Sequence, residues 1–486
     1  MNSIISGIFL LIGLLSLTYL AWRLLEEKEF KKGLLVILLL GLLLRIFSAT
    51  DPFLHSWDER YHALVAKNMI NHPLKPTLHE HPILAYDNQN WVGSNIWLAK
   101  PILPLFLMSG SIALFGANVV AVRFVSVILS LLAIWLTYLI AKRIFDEKVG
   151  YVAAFLHAIQ GSMLELVGGR ISSDHVELCF IVMVQLAVYF VLKRFNREGK
   201  DLSIFIAGLF MGFAFLSKWY PGLIVLPIWA LFFYFYFGFK MLLFFRQFLL
   251  LILGFGIVAI PWTAYMLLDY PAEMTEILKG AASAYTTAVA SHDKPPFYYF
   301  FQMLYLFGEL VIIPLFYFVF WAVKKRAKFR YWPLLAWVII PLVLFSLGDT
   351  KRFTYLLIAA PAFFIITAKF WMALYENHAK IIPKGVRVLL LILLIGLPFR
   401  YGIERAKLFT TESTTSLFYQ YSSEELSYLT PHTIVFGSDD YIEIMFHTDV
   451  YAAYRERPID KELNQFIAEG YTIVVAEGNH LVPYKP

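Results

Sequence analysis

The chain has 486 residues, of which 59% are hydrophobic and only 16% are charged, and its formal net charge is +6. This balance leaves too little polar surface to cover a soluble globule, so the composition predicts a protein whose solvent is mostly lipid. The basic residues fall in short clusters between apolar runs, which excludes the single basic face of a nucleic-acid-binding protein. The lone cysteine, Cys179, excludes a disulfide framework or a cysteine zinc site within one chain.

Long apolar runs follow one another from residue 3 to residue 400. Many of them approach the roughly 20 residues that an α-helix needs to span a bilayer. The first run lacks a basic segment before it and a small-residue cleavage site, so we interpret it as a retained helix and not as a signal peptide. The runs predict about twelve spans and cover residues 3–22, 33–49, 118–141, 149–168, 176–193, 202–217, 221–239, 247–268, 298–322, 332–347, 354–374 and 386–400.

Lysine and arginine are concentrated in alternate connections between these runs. By the positive-inside rule these connections lie in the cytoplasm, and about twelve spans satisfy that alternation without a conflict. Residues 50–117, 169–175, 269–297 and 348–353 then lie on the outer face, together with both termini. The basic residues are Arg23, Lys28, Lys31, Lys32, Lys142, Arg143, Lys148, Lys193, Arg194, Arg197, Lys200, Lys240, Arg246, Lys324, Lys325, Arg326, Lys328, Arg330, Lys380, Lys384 and Arg387.

The first outer connection contains a shorter apolar run, residues 101–115. Because it is short for a span, we predict an interfacial or re-entrant helix on the outer face. After residue 400, strand-like runs at 433–436 and 471–475 flank an amphipathic stretch near 461–468. The sequence therefore predicts a membrane domain over residues 1–402, which includes the outer loop 50–117, and a small α/β domain outside the membrane over residues 403–486.

Two adjacent carboxylates, Asp58 and Glu59, follow a predicted span directly and therefore lie close to the membrane surface. Such a pair can serve as an active-site element, or it can be solvated loop charge with Arg60 as the counter-ion. Lys100 begins the interfacial helix, where a lysine meets lipid phosphates or simply snorkels to the headgroup region. The residues alone leave these alternatives open.

Other charged residues interrupt the later apolar sequence. Arg170 and Asp174 share a face if their turn is helical, and a local ion pair is the alternative interpretation. Lys218 lies between two short spans, where it either faces a cavity or snorkels. Lys351 and Arg352 join two more spans on the outer side.

Histidines crowd the first outer loop, and His79, Glu80 and His81 form the closest set. Imidazole and carboxylate groups suit zinc, so these residues are metal-ligand candidates. Their spacing matches no strong zinc motif. The sequence thus requires no cofactor but allows a divalent metal.

An ordered set of motifs runs through roughly residues 30–375 and resembles the GT-C glycosyltransferases of the protein O-mannosyltransferase and lipid A aminoarabinose transferase family. The chain departs from the family where Ile102 replaces a frequent second proline, and at the Lys351-Arg352 pair. The motifs are Asp58-Glu59-Arg60-Tyr61, Pro76-Thr77, Trp97, Lys100-Pro101, Phe115-Gly116, Arg123, Arg170, Asp174, Leu216-Ser217-Lys218, Pro261-Trp262, Pro296-Phe297-Tyr298-Tyr299, and Ser346 to Lys351-Arg352 with Tyr355 and Pro361.

This resemblance implies an all-α, GT-C-like membrane protein with interfacial helices in its first outer loop, located in the cell membrane, or in the inner membrane of a Gram-negative cell. It implies transfer of a sugar from a polyprenyl-phosphate donor to a lipid, glycan or protein acceptor on the outer face, by direct inverting displacement. A secondary transporter or lipid flippase is the alternative, although the sequence shows no repeated halves. A non-catalytic assembly subunit is a third interpretation.

The resemblance also implies residue roles. Asp58 takes the position of the family's catalytic acid and becomes the general base, with Glu59 beside it and Asp174 as a supporting carboxylate. Lys100 is the first choice for the donor phosphate. Further donor-phosphate candidates are Arg170, Lys351 and Arg352, and substrate-cavity candidates are Tyr61, Arg123, Lys218 and Tyr355.

Overall fold

The structure is a computed structural model that describes residues 3–86, 93–195, 200–283, 286–287, 293–324, 331–378 and 382–486. Two compact units make up the chain. Unit 1 contains residues 1–50, 126–269 and 278–411, and unit 2 contains residues 51–125, 270–277 and 412–486. Of the basic residues predicted to mark the cytoplasmic side, those outside the described ranges are Arg197, Lys325, Arg326, Lys328, Arg330 and Lys380.

Helices make up most of the chain as far as residue 406. Short 3₁₀ segments interrupt them at Tyr220–Ile224 and Phe353–Ala359. In chain order the helices are α1 Ser3–Glu26, α2 Phe30–Ser48, α3 Asp58–Asn68, α4 Ile102–Phe115, α5 Val119–Ile144, α6 Glu147–Ala158, α7 Gly161–Val167, α8 Asp174–Phe195, α9 Leu202–Lys218, α10 Val225–Phe237, α11 Met241–Asp269, α12 Pro271–Ser283, α13 Tyr298–Phe307, α14 Ile312–Lys324, α15 Trp332–Leu347, α16 Ala360–Tyr375 and α17 Lys384–Ala406.

Within the described ranges, seven helical segments are long and apolar enough to cross a membrane, and one bent pair, α13 with α14, raises the number to eight if it is one span. The chain is therefore a multi-pass membrane protein. The predicted count of about twelve spans is not confirmed. The seven segments are Ile4–Glu26, Val119–Ile144, Asp174–Phe195, Tyr220–Phe237, Met241–Asp269, Phe353–Tyr375 and Lys384–Ala406.

Breaks in the helices explain the difference from the predicted count. The predicted span 149–168 is divided into α6 and α7, because the side chain of Gln160 accepts a hydrogen bond from Met163 N and starts a new helix there. The predicted span 298–322 is bent by 106° between α13 and α14, where Gly308 has a φ of 102° that favours glycine. At 17 and 16 residues, α9 and α15 are short for a bilayer.

A buried arginine stabilises the break after α6. Arg45 of α2 is fully buried, and its guanidinium donates to Ala158 O at 2.8 Å, His157 O at 3.3 Å and the Ser130 hydroxyl at 2.6 Å. The last carbonyls of a helix have no partner within that helix and carry partial negative charge. Arg45 therefore satisfies the C-terminal end of α6 inside the bundle.

The C-terminal part of unit 2 is a small α/β structure, as the sequence predicted. Its sheet has the order β2-β1-β3-β4, in which β1 is parallel to β2 and β3, and β3 is antiparallel to β4. The predicted boundary at residue 403 stays a prediction, and the contacts group the outer loop with this segment instead of with unit 1. Its elements are α18 Ser423–Ser427, β1 Thr433–Phe436, α19 Tyr441–His447, β2 Ala452–Ala453, α20 Asp460–Ala468, β3 Thr472–Glu477 and β4 His480–Pro483.

Candidate active site

The first turn of α3 carries the adjacent carboxylates Asp58 and Glu59. A helix N-terminus carries partial positive charge, so it is a favourable place for both. The Lys100 ammonium lies 3.0 Å from Asp58 Oδ2, and their side chains are 18% and 12% exposed. The structure therefore brings together the predicted base and the predicted phosphate-binding lysine, and it leaves the pair partly open.

Glu59 has a different environment from its neighbour. Its two oxygens lie 2.7 and 2.9 Å from the Arg123 guanidinium, both side chains are almost fully buried, and His55 N donates to Glu59 at 2.7 Å. Arg123 also donates to the carbonyls of Asp51 and Phe53 at 2.7 Å each. Glu59 and Arg123 thus hold the segment that leads into α3, so Glu59 positions Asp58, and Arg123 lies inside this clamp.

The next two residues of α3 contact the C-terminal segment, which the sequence did not predict. Arg60 Nη1 lies 3.2 and 3.3 Å from the carboxylate oxygens of Glu443 in α19, and the Tyr61 and Tyr441 hydroxyls are 3.2 Å apart. Burial raises the pKa of Glu443 to about 7, although Arg60 works in the opposite direction. Tyr61, a predicted cavity residue, is only 4% exposed.

The far end of α3 is tied to the same segment. Lys67 donates to the carbonyls of Met445, Phe446 and Thr448 at 2.9, 3.1 and 2.7 Å, which satisfies the C-terminal turn of α19. Upstream of the helix, Leu54 N donates to the Tyr419 hydroxyl at 2.8 Å. Residues 412–486 therefore set the position of the helix that carries Asp58.

The metal candidates His79, Glu80 and His81 do not form a ligand set. His79 Nε2 lies 3.0 Å from Ala453 O, and its ring stacks on Tyr454; burial lowers its pKa to about 4. Glu80 accepts from Asn71 Nδ2 at 2.7 Å, and the His81 ring stacks elsewhere in unit 2. Across the described residues, no group of three His, Cys, Asp or Glu side chains is arranged to hold a metal ion.

In unit 1, Lys218 forms an ion pair with Glu177 of α8. The Lys218 ammonium also lies 4.9 Å from the centroid of the Tyr355 ring, so two predicted cavity residues are in contact. The Glu177 side chain is fully buried, and its Oε1 has no hydrogen-bond partner within the described ranges. The sequence analysis missed Glu177, although it lies one helical turn after Asp174 in an otherwise apolar helix and this spacing was a usable signal.

Arg170 and Asp174 do not share a helix face. Residues 170–173 are outside helix, and α8 begins at Asp174, which is fully buried. Ser173 has a φ of 69°, in the left-handed region, so the chain turns sharply before α8. The Arg170 guanidinium instead donates to Arg405 O at 2.7 Å. The helical turn on which the predicted pairing depended is therefore wrong.

The last pair of predicted phosphate ligands lies between α15 and the segment Phe353–Ala359. Lys351 is 5% exposed and its ammonium donates to Gly348 O. The Tyr299 hydroxyl donates to the carbonyl of Arg352 at 2.9 Å, and Arg352 Nε is buried without a hydrogen-bond partner among the residues described. Both cations thus belong to unit 1, with Lys218, Arg170 and Asp174.

Comparison with known proteins confirms the predicted resemblance. A family model described as dolichyl-phosphate-mannose-protein mannosyltransferase matches residues 99–265. An uncharacterised protein of Aquifex aeolicus is 26% identical over 57% of this chain and 53% of its own length. Undecaprenyl phosphate-alpha-4-amino-4-deoxy-L-arabinose arabinosyl transferase 1 of Pseudomonas fluorescens is 24% identical over 55% of this chain and 48% of its own. The chain spans about half the length of the curated relatives it matches.

Two solved structures share the fold. ArnT from Cupriavidus metallidurans bound to undecaprenyl phosphate has a TM-score of 0.66 at 14% identity, with 92% of each chain covered. The apo oligosaccharyltransferase of Archaeoglobus fulgidus has a TM-score of 0.60 at 16% identity, with 91% of this chain and 69% of that chain covered. The predicted GT-C-like fold class, a helical membrane protein with a small C-terminal α/β part, is therefore confirmed.

Proposed function

We propose that the chain is a membrane glycosyltransferase that moves a sugar from a polyprenyl-phosphate-linked donor to an acceptor on the outer face of the membrane. The observation that carries the proposal is the ion pair between Asp58 and Lys100 at 3.0 Å. The similarity to arabinosyl transferases that are named for an undecaprenyl-phosphate donor supports the same donor class.

The reaction needs a base and a cation in one place. The acceptor oxygen attacks the anomeric carbon, its proton passes to the Asp58 carboxylate, and the carbon–oxygen bond to the phosphate breaks with its electron pair on the phosphate. A cation stabilises the charge that develops on the leaving phosphate. Lys100 fits this role, because its exchange from Asp58 to the donor phosphate would leave the carboxylate available for the acceptor proton.

The remaining basic residues extend this proposal to unit 1. Arg170, Lys351 and Arg352 are proposed to hold the donor phosphate, and Asp174 to support the site. The buried donor Nε of Arg352 favours a bound anion, because a buried N–H without a partner is costly. Lys218 and Tyr355 are proposed to line the cavity through their contact with each other.

The proposed displacement is direct and inverts the configuration at the anomeric carbon. One carboxylate, Asp58, acts as base, and the site needs no enzyme nucleophile. Isolation of a covalent glycosyl-enzyme intermediate would contradict this course. Placement of the site and both termini on the outer face rests on the distribution of lysine and arginine between the apolar runs.

Mass spectrometry of the products from the purified full chain tests the function. The chain is offered an acceptor extract and a panel of polyprenyl-phosphate-linked sugars, with the undecaprenyl carrier first. We expect one glycosylated product and one equivalent of free polyprenyl phosphate. Movement of intact lipid across a vesicle without any transfer would establish the transporter or flippase alternative, which the comparisons do not favour.

A further inference from the structure

A cleft in unit 1 lies where α13, α16 and α17 meet. It has about 580 Å³ of empty volume, and most of its lining side chains are apolar, among them Phe307, Phe363, Leu394, Leu397 and Pro398. The 106° bend between α13 and α14 forms one wall, at Gly308. Since α17 exposes Leu389 and Ile392 along its length, a hydrocarbon chain from the surrounding bilayer can enter between these helices.

One end of the cleft holds a buried cation. Arg405 is 5% exposed and lines the cleft. Its guanidinium donates to the Ser162 hydroxyl and to Tyr305 O, and it lies 3.7 Å from Glu165 Oε2. A guanidinium has five N–H donors in a planar fork that matches phosphate oxygens. The printed contacts with described residues use only part of this capacity.

An acid lies across one aromatic ring from this cation. The Tyr401 hydroxyl donates to Glu309 Oε1 at 2.7 Å, while the Arg405 guanidinium lies 5.4 Å from the centroid of the same ring. Both charged residues line the cleft. Glu165 already balances Arg405, so the carboxylate of Glu309 leaves the polar end with a negative excess that disfavours a purely anionic headgroup.

We propose that this cleft binds a zwitterionic membrane phospholipid. The phosphate meets Arg405, the ammonium meets Glu309, and one acyl chain fills the apolar cleft. A headgroup with opposite charges a few bonds apart matches the two charges on either side of Tyr401, whereas a polyprenyl phosphate supplies only the anion. The site uses none of the residues assigned above to catalysis, so it stands or falls independently of the proposed reaction.

Native mass spectrometry of the detergent-purified full chain tests the proposal, with phosphatidylethanolamine, phosphatidylglycerol and polyprenyl phosphate as probes. We expect phosphatidylethanolamine to bind best. Leu397→Trp, which fills the cleft, should weaken its binding about tenfold or more. Ile392→Trp, on the exposed face of the same helix, is the matched control and should leave binding unchanged.

Glu309→Gln keeps the shape of the cleft and removes only the charge, so it keeps the proposal testable if the Leu397 variant does not fold. This variant should lose the preference for phosphatidylethanolamine over phosphatidylglycerol. Equal binding of the two phospholipids by the unaltered chain, tighter binding of polyprenyl phosphate, or an unchanged preference in Glu309→Gln would each overturn the assignment.

Discussion

The start of α3 and the Lys218–Glu177 pair both place a lysine against a carboxylate, but their surroundings differ. Asp58 and Lys100 are partly open, and the neighbouring Glu59–Arg123 pair closes the segment behind them. Glu177 is fully buried in a bundle of apolar helices, and Lys218 has aromatic rings as its other neighbours. In unit 2 one pair supplies position and the other stays accessible for chemistry, whereas in unit 1 a single pair must serve both purposes.

The largest effect on stability is expected when the closed pair of unit 2 is broken. Glu59→Ala leaves the Arg123 guanidinium buried without its carboxylate, which costs about 3–5 kcal/mol. Thermal and denaturant unfolding of the detergent-solubilised chain measure the loss. Glu27→Ala is the matched control, because Glu27 pairs with Arg23 in exposed positions, and such pairs contribute about 0–1 kcal/mol. Equal losses in the two variants would mean that Glu59 holds nothing.

Lys218→Met tests whether the pair in unit 1 has one role or two. The variant leaves Glu177 buried without its cation and should destabilise the chain by about 3 kcal/mol. Adding Glu177→Gln removes the orphaned charge and should restore most of the stability. Transfer activity should stay low in the double variant, since Lys218 is proposed to contact substrate. Recovery of activity together with stability would assign Lys218 a purely structural role.

The buried Glu443 should make stability depend on pH with a defined sign. Its pKa is raised from 4.5 to about 7 by burial, so the folded chain holds this proton more tightly than the unfolded chain. Stability should therefore fall by on the order of 2 kcal/mol as the pH rises from about 4.5 to about 7. Glu443→Gln should remove this slope in pH-dependent unfolding.

Two histidines provide an internal control for the Glu443 measurement. Burial lowers the pKa of His79 and of His447 to about 4, so the folded chain binds their protons less tightly than the unfolded chain. Their contribution is lost as the pH falls from about 6.5 to about 4, which is the opposite slope. The difference between the unaltered chain and Glu443→Gln isolates the carboxyl, and an identical pH profile for the two proteins would contradict the assignment.

The smallest expected effect concerns the cap on α19. Lys67→Met removes three hydrogen bonds to the last carbonyls of that helix and should cost about 1 kcal/mol. Hydrogen exchange of the α19 amides measures it. Lys461→Met, at an exposed position of α20, is the control. Unchanged exchange in the Lys67 variant would show that the cap does not hold the two segments together.

Much of the fold was predictable because hydrophobicity acts over short distances. The apolar runs become helices, and the runs at 433–436 and 471–475 become neighbouring strands of one sheet. The number of spans was not predictable, since the side-chain cap at Gln160 and the bend at Gly308 look like ordinary residues in an apolar run.

The site was predictable residue by residue but not pair by pair. Asp58, Glu59, Lys100 and Arg123 were all singled out, yet the sequence did not indicate that Lys100 pairs with Asp58 or that Arg123 pairs with Glu59. Glu443 lies 383 residues from Arg60, and no local pattern links positions that far apart. Contacts of this kind follow from tertiary packing, which periodicity and spacing do not encode.

Turnover of Asp58→Asn tests the central claim most directly. The substitution keeps an oxygen for Lys100 and removes the carboxylate that is proposed to accept the acceptor proton. We expect transfer from the polyprenyl-linked donor to fall about 10²- to 10⁴-fold, with membrane insertion and thermal unfolding unchanged. Transfer at the rate of the unaltered chain would contradict the assignment of Asp58 as the base.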